Sequence, residues 1–159
     1  MLREVLLEMH RRTHLNFAAL LDHCATLPEG AIDKEMEGFG YSTIRLQLHH
    51  VIGAERYWVG VIQGDFNAND DEHLYPTLAS VRQFHDEVYS ASRAYLKSAS
   101  DEELGTARQM LTWGNETLLL TPAHIIIRTQ THIYHHKGQV VAMCRLLGSP
   151  CSGTDYPIN

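Results

Sequence analysis

The segment THIYHHKGQV, residues 131–140, carries three histidines within five positions, and their spacing determines how the end of the chain folds. In an α-helix, side chains four residues apart lie on one face, with about 6 Å between their Cβ atoms. His132 and His136 therefore form a pair, whereas His135 is turned away from them by about 100°. The face of the pair continues through Gln139, Val140, Met143 and Leu147. Because that face is mostly apolar, we predict that it points into a protein core.

Two imidazoles buried one helical turn apart need partners, since a buried polar group is normally hydrogen-bonded. Two interpretations follow: the pair binds a metal ion, or each histidine is hydrogen-bonded independently within the core. Zinc proteases use the same spacing, but their motif has Glu directly after the first His. Here Ile133 follows His132, so the metalloprotease signature is absent.

Amphipathic helical patterns cover four long segments of the chain. Pro28 and Gly30 stop the first, while Thr121 and Pro122 provide a cap and a first turn for the last. We predict helices over residues 2–26, 43–63, 77–98 and 122–147. Four such helices predict an all-α fold, a four-helix bundle that forms a single domain over residues 1–159.

Two stretches between these helices have other patterns. Residues 65–76 are polar and are predicted to form a loop. Before the last helix, Gly114 and Asn115 lie between β-favouring residues and predict a small hairpin.

The first two helices also carry histidines. His50 shares a stripe with apolar residues and is expected to face the core, whereas His49 aligns with arginines on a more polar line. His10 and His14 are four residues apart, and geometry alone does not exclude them as ligands. Because arginines stand between them, the favoured interpretation is a surface or boundary pair. The isolated histidines are expected at the surface or at caps: His23, His73, His85 and His124.

The composition narrows the classes of function. The formal net charge is −6, and basic residues do not cluster beyond Arg11 and Arg12, so we expect no nucleic-acid binding. No apolar run approaches the roughly 18 residues of a membrane span, and no secretory signal is evident, which predicts a cytoplasmic protein without membrane contact. The three cysteines are scattered, so a disulfide framework is not expected.

Two motifs resemble those of the DinB/YfiT-like proteins: STIRLQLHHVIGAERYW at residues 42–58 and THIYHHKGQVVAMCRLLG at residues 131–148. The tail GTDY, residues 153–156, is also similar to the closing segment of that family. The resemblance implies an up-down-down-up four-helix bundle.

Carried over residue by residue, the family pattern implies three metal ligands, His50, His132 and His136, which agrees with the helical faces above. The chain departs from the pattern at Arg128, one turn before His132, where many relatives have another histidine. A guanidinium there alters the charge around the mouth of a pocket.

Two more side chains are candidates to support these ligands. Gln139 lies one turn after His136. One interpretation is that it hydrogen-bonds to a ligand imidazole or to a bound water. The other is that it packs between helices. Glu55 follows His50 by more than one turn and either supports the site or is a charge at the bundle edge.

The resemblance implies a choice of functions, because the family includes metal-dependent thiol S-transferases and isomerases as well as hydrolases. We predict a metal-dependent enzyme that activates a small thiol and acts on a small-molecule substrate. The alternatives are a hydrolase that uses metal-bound hydroxide and a non-catalytic metal-binding protein of the stress response. A three-histidine site accepts Zn, Ni, Mn, Fe or Co, and the sequence does not choose among them.

The segment HIIIR, residues 124–128, bears on assembly. Its three consecutive isoleucines span about 200° of the helix surface, whereas one core-facing stripe covers about 100–140°. At least one isoleucine is therefore expected outside the core, under the hairpin or against another chain. Trp113 and residues 118–120 add apolar area nearby. Since relatives that this chain resembles are often homodimers, we predict a homodimer.

Overall fold

The computed structural model describes residues 1–65, 71–153 and 155–158. Four long helices form the bundle: α1 (Leu2–Cys24), α2 (Ile44–Gln63), α3 (Leu78–Ser98) and α5 (Pro122–Leu146). Between α3 and α5 lie a short helix, α4 (Asp101–Gly105), and a hairpin of β1 (Arg108–Leu111) and β2 (Thr117–Leu120). The predicted four-helix bundle and hairpin are confirmed. Residues 66–70 of the predicted polar loop lie outside the described residues.

The local signals act as the sequence predicts at the hairpin and at the start of α5. β1 and β2 pair antiparallel, and Gly114 and Asn115 in the turn have φ of 71° and 59°. Glycine and asparagine adopt this left-handed conformation more easily than other residues. The Thr121 side chain caps α5 by accepting a hydrogen bond from the backbone N–H of His124.

Contacts along the helices fix their directions. α1 runs parallel to α5 and antiparallel to α3, and α2 runs antiparallel to α5. The contacts between α1 and α5 are Thr13–Tyr134 and Cys24–Cys144. Those between α1 and α3 are His10–Ser92 and Asp22–Arg82. Those between α2 and α5 are Gln47–Gln139 and Trp58–Arg128. The directions are therefore up-down-down-up, as the resemblance implied, and α2 packs against both α3 and α5.

Two apolar clusters fill the bundle, and a layer of buried polar side chains separates them along its length. One cluster includes Phe17, Ile52, Val88 and Ile133. The other includes Leu6, Trp58, Tyr95 and Ile126. Between them, in sequence order on each long helix, lie the buried polar residues His10, Thr13, His14, Glu55, Ser92, Thr129 and Gln130. We call these seven residues the polar layer.

Two further findings concern the described residues. None of their helices is both long enough and apolar enough to cross a membrane. The three cysteines, Cys24, Cys144 and Cys151, are unpaired.

Candidate metal centre

Three histidines converge between α2 and α5, the two helices that the sequence motifs occupy. His50 on α2 meets His132 and His136 on α5, and one ring nitrogen of each lies within 4.8 Å of the others. The Nε2 atoms of His50 and His132 are 3.2 Å apart. Tetrahedral bonds of 2.0–2.1 Å from a metal place two nitrogen ligands about 3.3 Å apart. The donor set and its spacing therefore fit a divalent metal ion.

Gln47 determines which nitrogen of His136 is available. The Gln47 amide nitrogen donates to the Tyr41 carbonyl oxygen at 2.9 Å and to Gln139 Oε1 at 2.8 Å. Its Oε1 atom therefore faces His136 Nδ1, 2.6 Å away, and accepts the hydrogen that Nδ1 carries. A neutral imidazole with hydrogen on Nδ1 has its lone pair on Nε2. Gln47 thus leaves His136 Nε2 free to bind a metal, as partners of metal-binding histidines generally do.

Gln139 supports the site through Gln47. Its Oε1 accepts the hydrogen bond from Gln47, and its own amide nitrogen lies 3.1 Å from Nε2 of the exposed His135. The sequence left two roles open for Gln139: a hydrogen bond to a ligand imidazole or a bound water, or packing between helices. The structure places it one residue further away, as the group that helps to orient Gln47.

The pKa values of the three histidines keep them neutral at physiological pH. Burial is the main cause in each case, and the neighbouring imidazoles add to it. The pKa of His136 is lowered to about 3 and that of His132 to about 4, and the pKa of His50 is also lowered. Since only a neutral imidazole binds a metal, the environment prepares all three ligands.

A pocket of about 520 Å³ opens beside the centre. His50 and His132 lie in its wall, together with the aromatic side chains of Tyr57, Trp58 and Trp113. Tyr41 stacks on His50, with ring centroids 4.1 Å apart. A small molecule in this pocket can therefore reach two of the three histidines.

The sequence profile of the DinB family matches residues 1–159, the whole chain. The chain belongs to the DinB family. No curated protein matches it. This membership agrees with the resemblance that implied the ligand set. The two motifs of the resemblance lie on α2 and α5, the helices that carry the three histidines.

Arg128 lies in the wall of the same pocket of this DinB-family chain. Its guanidinium carbon is 4.9 Å from the centre of the Trp58 ring, a cation–π contact that holds it beside the pocket. Its positive charge contributes to the lowered pKa of both His50 and His132. The structure thus places a cation at the pocket where the family departure led us to expect one.

Glu55 does not lie where either sequence interpretation placed it. It is 1% exposed, so it is not a charge at the bundle edge. Five residues separate it from His50, which turns it about 140° around the helix. It therefore contacts His10 and His14 instead of the three-histidine centre.

His10 and His14 are also buried, at 0% and 3% exposure, so their interpretation as a surface or boundary pair was wrong. Glu55 Oε1 lies 3.1 Å from His10 Nε2, and Glu55 Oε2 lies 3.0 Å from His14 Nε2. These three residues form a second group whose donor atoms lie within 4.8 Å of one another, a buried group that could bind a metal ion.

Two other histidines are more buried than expected. His85 was assigned to the surface or a cap, but it is 4% exposed, with its Nε2 atom 3.0 Å from His14 Nδ1. His49 was assigned to a polar line, but its ring packs near Tyr75 and Phe84 between α2 and α3. His49 had been assigned by its alignment with Arg45 and Arg56, and both arginines are half-buried. His85 had been assigned because no other histidine lies at helical spacing from it.

Proposed function

We propose that the chain is a metal-dependent enzyme that activates a small thiol for S-transfer at the centre of His50, His132 and His136. One observation carries this proposal: three neutral imidazoles converge, and two of them line an open pocket. A divalent ion held by neutral ligands keeps its full charge, and such a Lewis acid favours the deprotonated form of a thiol. The donor set suits Zn, Ni, Mn, Fe or Co.

In this proposal the pocket residues bind and orient the small-molecule substrates. The rings of Trp58 and Trp113, which contact each other, provide apolar parts of the wall that also contains His50 and His132. Arg128 provides a cation, which binds an anionic group such as the carboxylate of a thiol or of its electrophilic co-substrate. Gln47 holds His136 in one tautomer, so the ligand set needs no rearrangement before it binds a metal.

The experiment begins with metal analysis of protein that was purified without a histidine tag. Turnover is then measured with a series of small thiols and an electrophile such as an activated aromatic halide. Thiol-dependent turnover that disappears in His136→Ala and persists in His135→Ala supports the transferase. His135 is the matched control, because it lies on the same helical turn but is exposed.

Two other outcomes contradict the transferase. Hydrolysis of esters or amides in the absence of a thiol identifies a metal-dependent hydrolase. Bound metal with neither activity identifies a metal-binding protein without catalysis, as in the stress-response alternative.

A further inference from the structure

The group of His10, His14 and Glu55 lies at the centre of the polar layer. His10 and His14 come from α1 and Glu55 from α2, and Ser92 from α3 joins them, with its Oγ atom 2.7 Å from His10 Nε2. All four side chains are at most 3% exposed. Burial of this much charge and polarity costs free energy unless the groups are paired, and His10 Nδ1 is buried without a hydrogen-bond partner among the described residues.

The group continues to the surface as a chain of hydrogen bonds. His14 Nε2 contacts Glu55, His14 Nδ1 lies 3.0 Å from His85 Nε2, and His85 Nδ1 lies 3.0 Å from Asp86 Oδ1. The chain thus has three links between two carboxylates. Each link needs one hydrogen, but two neutral imidazoles carry only two.

One hydrogen is therefore missing when both imidazoles are neutral, and which link lacks it depends on which ring nitrogens carry hydrogen. If His85 donates to Asp86 and His14 donates to His85, both hydrogens are used, and the lone pair of His14 Nε2 faces the Glu55 carboxylate. That contact is repulsive unless a proton or a metal ion lies between the two atoms. The same carboxylate also faces His10 Nε2 at 3.1 Å.

The donors around this point match the preferences of a metal. Two imidazole nitrogens and a carboxylate converge, and the Ser92 hydroxyl adjoins them while it donates its own hydrogen to the Val88 carbonyl oxygen at 2.9 Å. The contacts of 3.0–3.2 Å between Glu55 and the two histidines approach the roughly 3.3 Å between ligands of a tetrahedral zinc ion, whereas Ser92 Oγ lies closer to His10 Nε2, at 2.7 Å. A metal on His14 Nε2 leaves Nδ1–H to donate to His85, and metal-binding histidines generally donate their other ring N–H to an acceptor.

We propose that His10, His14 and Glu55, with Ser92 beside them, bind a second divalent cation of the zinc type. The site is closed to solvent, because its four side chains are at most 3% exposed and the space beside His14, Glu55 and His85 has no room for a water molecule. Its role is structural: the ion links α1 to α2, which lie diagonally in the bundle, and it completes the polar layer. It is separate from the three-histidine centre, because Glu55 and His50 point in different directions from α2.

The test uses the double variant His132→Ala/His136→Ala, which lacks the three-histidine centre. After metal removal and reloading with Zn²⁺, we expect this folded variant to bind one ion per chain. We expect wild-type crystals measured at the zinc edge to show two anomalous peaks, one of them between His10 Nε2, His14 Nε2 and Glu55. A folded double variant without bound zinc, or wild-type crystals with no peak at Glu55, would overturn the proposal.

Glu55→Gln separates the metal from a proton at the same point. It preserves the shape of the side chain, and we expect it to lose one of two zinc ions per chain while thiol turnover at the other centre remains zinc-dependent. His49→Asn is the control for loss of a buried histidine from α2, and it should keep both ions. If Glu55→Gln keeps the zinc content of the wild type, a proton occupies the group and the second metal site is refuted.

Discussion

At the scale of single residues, the centre depends on which nitrogen of each imidazole carries hydrogen. Gln47 fixes this for His136, and Gln47 is itself oriented by the Tyr41 carbonyl oxygen and Gln139. A sequence shows only that a polar residue lies one turn before His50. It does not show that the amide oxygen points at an imidazole on another helix.

Gln47→Leu should weaken metal binding although no ligand is removed. The substitution keeps the side-chain volume but removes the acceptor for His136 Nδ1, and loss of such a partner typically costs 10–100-fold in metal affinity. Competition with a coloured chelator measures the change. Gln139→Leu is the matched control and should have the smaller effect, since Gln139 reaches His136 only through Gln47. Equal affinities of Gln47→Leu and the wild type would show that the hydrogen bond does not prepare the ligand.

Arg128→Met should discriminate among substrates by charge. The substitution keeps an apolar stem against Trp58 but removes the guanidinium from the pocket wall. We expect KM to rise for a thiol that carries a carboxylate, because that thiol loses a charge-assisted hydrogen bond, which contributes about 1.5–3 kcal/mol. For a neutral thiol, which makes no such bond, KM should remain within about twofold. A parallel rise of KM for both thiols would argue against an anion-binding role.

The pH dependence of stability should reveal the lowered pKa of His136. Its pKa is about 3 in the folded chain, compared with about 6.5 for an unperturbed histidine. Above pH 6.5 the His136 imidazole is neutral in both the folded and the unfolded chain. As the pH falls from 6.5 toward 3, this imidazole binds a proton in the unfolded chain but stays neutral in the folded chain. Stability is therefore lost in that window.

The measurement is urea unfolding of metal-free protein between pH 7.5 and pH 4. We expect the wild type to lose stability more steeply than His136→Asn below pH 6.5. Parallel curves for the two proteins would show that His136 titrates normally in the fold.

At the scale of the elements, sequence reasoning was reliable where local chemistry dictates the structure. α5 begins at the Thr121 cap and presents His132 and His136 on the predicted face, and the hairpin turns at the predicted Gly114 and Asn115. In these places local chemistry dictates the structure, so the sequence is sufficient.

α2 is harder to interpret because buried residues lie both on its side toward α5 and on its side toward α3. Its pattern cannot distinguish the side that faces α5, which carries His50, from the side that faces α1 and α3, which carries Glu55. On α1, Arg11 and Arg12 extend to Glu8 at the surface while His10 and His14 point inward. The sequence did not reveal that this pair is buried, because charged residues lie beside it and its partner Glu55 is 41 residues from His14 and 45 from His10.

At the scale of the whole molecule, apolar side chains remain uncovered on and beside the hairpin. Ile127 is 40% exposed, whereas Ile125 and Ile126 are buried, so one of the three isoleucines does lie outside the core. The other exposed apolar residues of this region are Leu111, Trp113, Leu118 and Leu119. A patch of this kind is typical of protein interfaces, and we propose that it forms the interface of a homodimer.

Ile127→Glu tests the dimer. The wild type should have a mass near 36 kDa by light scattering at micromolar concentration, twice the 18.0 kDa of one chain. Ile127→Glu should shift the mass toward 18 kDa, because an unpaired charge in the interface favours the monomer. The metal should be retained, because Ile127 lies outside the core and its substitution leaves the fold unchanged. Ile126→Glu is unsuitable, since Ile126 is fully buried and its substitution damages the core. A wild-type mass of 18 kDa would refute the homodimer.

The most direct test of the whole account is the metal content of the chain after single substitutions of its histidines. Tag-free wild-type protein, reloaded with Zn²⁺ and desalted, is compared by elemental analysis with His50→Ala, His132→Ala and His136→Ala, and with the controls His49→Ala and His135→Ala. We predict that each of the first three contains one ion per chain fewer than the wild type, because each removes one of three converging donors. Both controls should keep the wild-type content, and a His136→Ala protein that retains all of its zinc would contradict the three-histidine centre.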